Sequence, residues 1–105
     1  MTQRRTLPQR RRCETFEIAF GGLARSHTIT VGFYEDGALG EVFINSGRSG
    51  EPVEAIARDG AVVLSLALQY GAELDNIRTA ITRDDQGAPT SVVGAVIDRL
   101  CEDAS

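Results

Sequence analysis

The chain is expected to fold as an α+β domain, a three-stranded antiparallel β-meander followed by three helices packed on one face of the sheet. Three observations predict this. Residues 13–45 alternate apolar and polar side chains with the period of two that a half-buried strand requires. Residues 52–100 space their apolar side chains at helical intervals. The two patterns do not interleave, and strands grouped before helices favour a sheet with its helices segregated over a parallel α/β fold. At 105 residues the length suits one domain, and a chain of this size buries roughly 65% of its unfolded surface, enough for one modest core.

The first strand begins at Cys13, with Phe16, Ile18 and Phe20 on one side and Thr15, Glu17 and Ala19 on the other; Gly21-Gly22 ends it. In the second, Ile29, Val31 and Phe33 oppose Thr28, Thr30 and Gly32. Glu35-Asp36-Gly37 then supplies a tight hairpin, because Asp-Gly tolerates positive φ. The third strand, Leu39 to Asn45, places Val42 and Ile44 opposite Glu41 and Phe43.

After the loop Asn45-Ser46-Gly47-Arg48-Ser49-Gly50, Pro52 suits the first turn of a helix expected to reach Tyr70. Its first half is amphipathic, whereas Ala61 to Leu68 is apolar nearly all round, the mark of a central, buried helix. Gly60 costs about 1 kcal/mol relative to Ala inside a helix, which points to close packing against the sheet, and Gly71 has the residue type of a C-terminal cap. Leu74, Ile77 and Ile81 give a second helix ending near Arg83. A turn follows at 84–89, and Thr90 or Ser91 caps a third helix that turns Val92, Val93, Val96, Ile97 and Leu100 inward.

The formal charge is −4, but residues 1–12 carry Arg4, Arg5, Arg10, Arg11 and Arg12 with no acid, so a +5 segment precedes a body of −9. Two parts are expected: a flexible Arg-rich arm, or an extended strand-like lead-in, over 1–12 and one folded α+β unit over 13–105. No apolar run approaches the ~20 residues that span a bilayer, and no apolar stretch follows the arginine cluster as in a secretory signal, so a cytoplasmic location is expected. Cys13 and Cys101 stand at opposite ends without a Cys-x-x-Cys pair, and His27 is the one histidine. Neither a disulfide scaffold nor a zinc site is expected, and no cofactor.

Several segments together resemble a known family. Leu7-Pro8-Gln9-Arg10-Arg11-Arg12, Gly21-Gly22, Tyr34-Glu35-Asp36-Gly37-Ala38-Leu39-Gly40-Glu41-Val42-Phe43-Ile44 and Ser65-Leu66-Ala67-Leu68-Gln69-Tyr70-Gly71 occur in the order found C-terminal to the barrel of cobalamin-dependent ribonucleotide reductases. That region is related to the TSCPD domain, which also occurs as a small stand-alone protein, and the likeness runs from about Leu7 to Leu100. Two departures stand out. Thr90-Ser91 continues with Val92-Val93-Gly94 where the name-giving motif has Cys-Pro-Asp, and no cysteine stands near Phe20-Gly21-Gly22. The resemblance implies a link to ribonucleotide reduction, while the radical chemistry of the reductases needs converging cysteines and a barrel that shields the radical, which 105 residues with two distant cysteines do not supply. A non-catalytic accessory or regulatory module is therefore expected, binding a protein partner such as a reductase, or a nucleotide.

Two candidate sites follow from the residues. Gly47-Arg48-Ser49-Gly50 precedes a helix, so its backbone N–H groups and Arg48 can receive an anion or nucleotide phosphate, although the spacing of a phosphate-binding loop is absent. The arm residues Arg4, Arg5, Arg10, Arg11 and Arg12 can meet an acidic partner surface; the acidic body argues against nucleic acid, which is the alternative reading. Glu35, Asp36 and Glu41 read as turn chemistry, His27 has no triad partner, and Gln69 and Tyr70 read as packing and capping, so no catalytic residue is expected. A three-stranded sheet with helices on one face leaves the other face open, which makes self-association into a homodimer a further expectation.

Overall fold

A computed structural model describes residues 3–21, 25–45 and 51–104. Strands β1 (Cys13–Ala19), β2 (Ser26–Phe33) and β3 (Leu39–Asn45) form one antiparallel sheet in the order β1-β2-β3 and are followed by helices α1 (Pro52–Gln69), α2 (Leu74–Ala80) and α3 (Val92–Asp103). The α+β class and the order of all six elements agree with the sequence reading. Phe16, Ile29 and Ile44 lie side by side across the sheet, as do Glu14, Val31 and Val42, so the helix-covered face is the apolar one of each alternation. Onto it pack Ala57, Ala61 and Leu64 of α1 and Val96, Ile97 and Leu100 of α3. The opposite face carries Thr15, Glu17, Thr28 and Thr30, with Phe43 exposed.

The β2–β3 hairpin closes as its Asp-Gly pair predicts. Gly37 adopts φ 88°, the Asp36 carboxylate accepts from Ala38 N–H at 3.0 Å, and Tyr34 N–H donates to Ala38 C=O at 2.8 Å. Gly32 pairs with Glu41 and Phe33 with Leu39, so Gly40 is an extra residue in a β-bulge. A Cβ on Gly40 would lie 2.6 Å from Leu7 Cδ2 and 2.7 Å from Tyr34 Cε2. Only glycine fits where the N-terminal segment crosses the hairpin.

Helix α1 is the main departure from expectation. It lies along β3 instead of between two layers: Ser65 Oγ accepts from Val42 N–H at 2.9 Å and also lies 3.1 Å from Val42 C=O, while Gln69 Nε2 donates to Gly40 C=O at 2.9 Å. Both Val42 groups point away from β2, at the free edge of the sheet. A helix in that position turns one side inward, and Val62, Val63 and Leu66, expected to be buried, are exposed. Gly60 also serves a different neighbour from the one expected. A Cβ there would lie 2.6 Å from Val93 Cγ2, so the close contact is with α3 and not with the sheet.

The remaining elements end as their chemistry directs. Gly71 takes φ 98°, Gly71 N–H bonds Leu68 C=O and Ala72 N–H bonds Ala67 C=O, a Schellman ending to α1. Ser91 Oγ caps α3 by accepting from Gly94 N–H at 3.0 Å. Helix α2 stops at Ala80, short of Arg83, because Arg83 leaves the helix to bridge Pro89 and to hold both oxygens of Asp98 on α3, at 2.7 and 2.9 Å.

Ser65 Oγ also lies 2.8 Å from Ala61 C=O, so its single proton is shared between two carbonyls while its oxygen accepts from the strand. Ser65→Ala removes the acceptor of a buried strand amide, and should lower stability by about 1–3 kcal/mol in urea unfolding with an unchanged m-value. Asp98 provides a pH-dependent counterpart. The Arg83 hydrogen bonds, opposed by partial burial, hold its carboxyl below the usual range. Because the folded value is the lower one, the stabilisation is complete above the ordinary aspartate pKa of about 3.9 and is lost as pH falls through the folded value. In acid unfolding monitored by circular dichroism, Asp98→Asn should therefore be the less stable protein at neutral pH and should show a shallower pH slope than the intact protein below about pH 4.

Candidate functional site

The first turns of α1 and α3 converge over one end of the sheet. There the β1–β2 connection is closed by Phe20 N–H donating to Arg25 C=O at 2.9 Å, and β2 starts at Ser26. Opposite Ile18, on the helix-covered face, stands His27. Between these elements lies a cleft of about 470 Å3, with Phe20, Val53, Ile56, Val92 and Val93 as apolar walls. Its polar lining is Arg25, His27, Thr90 and Ser91. The volume falls within the range of small-molecule sites.

His27 is 2% exposed, and its Nδ1 has no hydrogen-bond partner among the described residues. Arg25 donates to Glu51 at 2.7 Å, which leaves further guanidinium N–H groups. Glu51 precedes α1 without capping it through its side chain. On α3 the Ser91 hydroxyl takes Gly94 N–H, while Val92 and Val93 N–H belong to the first turn, which has no intrahelical acceptor for them.

Of the residues singled out from the sequence, Gly47, Arg48, Ser49 and Gly50 lie outside the described residues. The arm arginines do not form one site. Residues 3–12, expected to be a flexible arm or an extended strand-like lead-in, lie along the hairpin and the end of α1: Arg5 N–H donates to Gln69 C=O at 2.7 Å, Tyr34 OH donates to Arg5 C=O at 3.0 Å, and Phe33 N–H donates to Arg12 C=O. The arm's backbone groups find partners on the body, and so do its charges. Arg4 Nε donates to Gln69 Oε1 at 2.6 Å; Arg5 pairs with Asp36 and stacks 3.7 Å over the Tyr34 ring. Arg11 grips both oxygens of Glu41, and Arg12 lies over the Phe33 ring and 3.6 Å from Glu14. Arg10 is exposed. The +5 of the arm is thus largely answered by the body's own carboxylates.

Those carboxylates are structural. Ala38 N–H and then Arg5 hold Asp36 below the usual carboxylate range, and Glu41 is buried under Arg11. The thiols stand in different settings: Cys13 is exposed at the start of β1, while burial, with Asp75 nearby, pushes the Cys101 thiol above its ordinary pKa. Among the described residues no group of three or more His, Cys, Asp or Glu side chains is placed to hold a metal ion. Likewise, no helix is long and apolar enough to cross a membrane. The cleft itself was missed by sequence reasoning. One signal was available, since the β2 alternation that turns Ile29 and Val31 inward also turns His27 inward.

Comparison with known proteins adds the context. The family model described as the TSCPD domain matches residues 2–104. Three vitamin B12-dependent ribonucleotide reductases are similar to the chain: that of Bradyrhizobium diazoefficiens is 35% identical over 82 residues, covering 78% of this chain and 6% of the reductase. Those of Agrobacterium fabrum, 34% identical over 76% of this chain, and Rhodopirellula baltica, 33% over 71%, match 6% and 7% of their own lengths. The chain thus spans only about 6–7% of the relatives it matches. No solved structure matches significantly. With the family model spanning almost every residue and the motif-bearing hairpin, arm and helix in mutual contact, the chain belongs to the TSCPD domain family.

Proposed function

We propose that the chain is a non-catalytic accessory or regulatory module of ribonucleotide reduction, acting in the cytoplasm in the supply of DNA precursors, and that it works by docking on a reductase. The observation that carries this is the outer face of α1. Ile56 is 70% and Val63 66% exposed, and Val62, Leu66 and Tyr70 are exposed beside them. Asp59 and, one turn from Val62, Arg58 are the charged side chains beside that group. Soluble monomers seldom show a contiguous apolar patch above a few hundred Å2, and such a stripe on one helix marks an interaction surface. The reductase is the favoured partner because the similar segments occur within B12-dependent reductases.

Isothermal titration of the full chain into a B12-dependent reductase should show binding that Val63→Asp weakens by about tenfold or more, as expected of a central apolar contact. An exposed residue is the target, so the substitution should leave the unfolding midpoint nearly unchanged. Absence of heat with the reductase, or binding indifferent to Val63→Asp, removes this reading. Sedimentation of the chain alone tests self-association: a dimer abolished by Val63→Asp would assign the face to a second copy instead.

A further inference from the structure

On the reading of the chain as a contact module, the cleft at the sheet end calls for a small ligand in addition to a protein. We propose that it binds a compact oxyanion, a phosphate ester or a carboxylate, carried on a flat apolar body. Two observations of different kinds meet there. The first is a set of donors without acceptors: the first-turn N–H groups of Val92 and Val93, at the positive end of the twelve-residue α3. The second is the buried imidazole of His27 in the same wall, its Nδ1 unengaged among the described residues. A buried polar nitrogen without a partner is costly, and a turn of the imidazole in the cleft wall toward a ligand oxygen removes that cost.

The sign of the ligand follows from what faces the cleft. Arg25 carries a positive charge, answered in part by Glu51 at 2.7 Å. Among the described residues lining the cleft there is no carboxylate, Glu54 of the first turn of α1 being buried outside that lining and 3.5 Å from Arg58, and the donors that do line it are N–H groups that an anion satisfies and a cation does not. An imidazole with one nitrogen unengaged can carry its proton on that nitrogen and donate as well. Size and polarity follow from the walls. Phe20, Val53 and Ile56 give the cleft apolar walls, suited to an apolar body such as a ring and not to a bare ion. Inorganic phosphate alone would leave that surface uncovered.

The test uses the full, isotope-labelled chain and three probes: phenyl phosphate, benzoate and benzyl alcohol. His27 is the chain's single histidine, so its imidazole nitrogens give unambiguous NMR signals. Phenyl phosphate or benzoate should shift the Val92 and Val93 amides and the His27 Nδ1 signal, with the better of the two naming the class. Uncharged benzyl alcohol should bind about tenfold more weakly or not at all, the loss of one charge-assisted contact. Two variants locate the site. Val92→Pro deletes one donor at a first helical position, where proline is favoured, and Ser91 before it is already extended at φ −127°, ψ 157°. Arg25→Gln removes the charge from a half-exposed side chain. Each should weaken the anion about tenfold, with unchanged far-UV circular dichroism and unchanged binding of the reductase. Equal binding of benzyl alcohol, or no shift at Val92, Val93 and His27 with either anion at millimolar concentration, overturns the proposal. Loss of reductase binding in Val63→Asp leaves the anion affinity as it was, so the two readings fail separately.

Discussion

The structure depends on how the outer edge of β3 is closed. A three-stranded sheet has two edges, and an exposed edge offers unpaired backbone groups to any passing strand. Here α1 lies along one edge and supplies side-chain atoms in place of a fourth strand, Ser65 to both groups of Val42 and Gln69 to Gly40 C=O. Ser65 and Gln69 are one turn apart, and Ala57 and Ala61 continue the same stripe toward the N-terminus. Small side chains on that stripe let the helix approach closely enough for a serine hydroxyl to reach the strand. A larger residue at 57, 61 or 65 would push the helix off and leave the edge amides without partners.

From that contact the arrangement of the N-terminal segment follows. Gln69 is fixed by Gly40, and its remaining oxygen and its backbone carbonyl then receive Arg4 and Arg5. The bulge at Gly40 opens the hairpin to Leu7 and Tyr34, while Glu41, next in sequence, is covered by Arg11. Segments distant in the chain are therefore one latch: the arm, the hairpin and the end of α1 satisfy each other's polar groups. The segments that carry the family resemblance are thus contact partners in the fold.

Most of the architecture was legible because it rests on local signals. The period-two alternation fixed the faces of all three strands, Asp36-Gly37 fixed the hairpin, and Ser91 and Gly71 fixed two helix ends. The misreadings concern what lies across from an element, which periodicity does not encode. An apolar run such as Ala61 to Leu68 looks the same whether a helix is buried on all sides or is buried on one side and has an apolar outer face. Gly60 announced a close approach without naming α3 as the neighbour. The partners of the arm were not legible, because arginines in sequence show no partner and the carboxylates they meet lie some thirty residues away. The cleft was illegible for the same reason, since it joins residues near 20, 55 and 92 that become neighbours only once both helices start over one sheet end.

The two faces of α1 place different demands on its side chains. The inner face explains its own composition: alanines for approach, Leu64 for the core, Ser65 and Gln69 for the strand edge. The outer face has no such internal explanation. Ile56, Val62 and Val63 contribute little to the core from positions more than half exposed, and polar residues there would support the helix as well while improving solubility. Burial of that surface would be worth about 25 cal/mol per Å2 before the cost of association is subtracted, a gain that the chain alone does not collect. On the proposed reading, a surface outside the chain accounts for a face that is apolar without serving its own fold. Because Val53 and Ile56 also wall the cleft, such a partner would lie next to the opening at the sheet end, and any energetic coupling between the two positions would act equally in both directions.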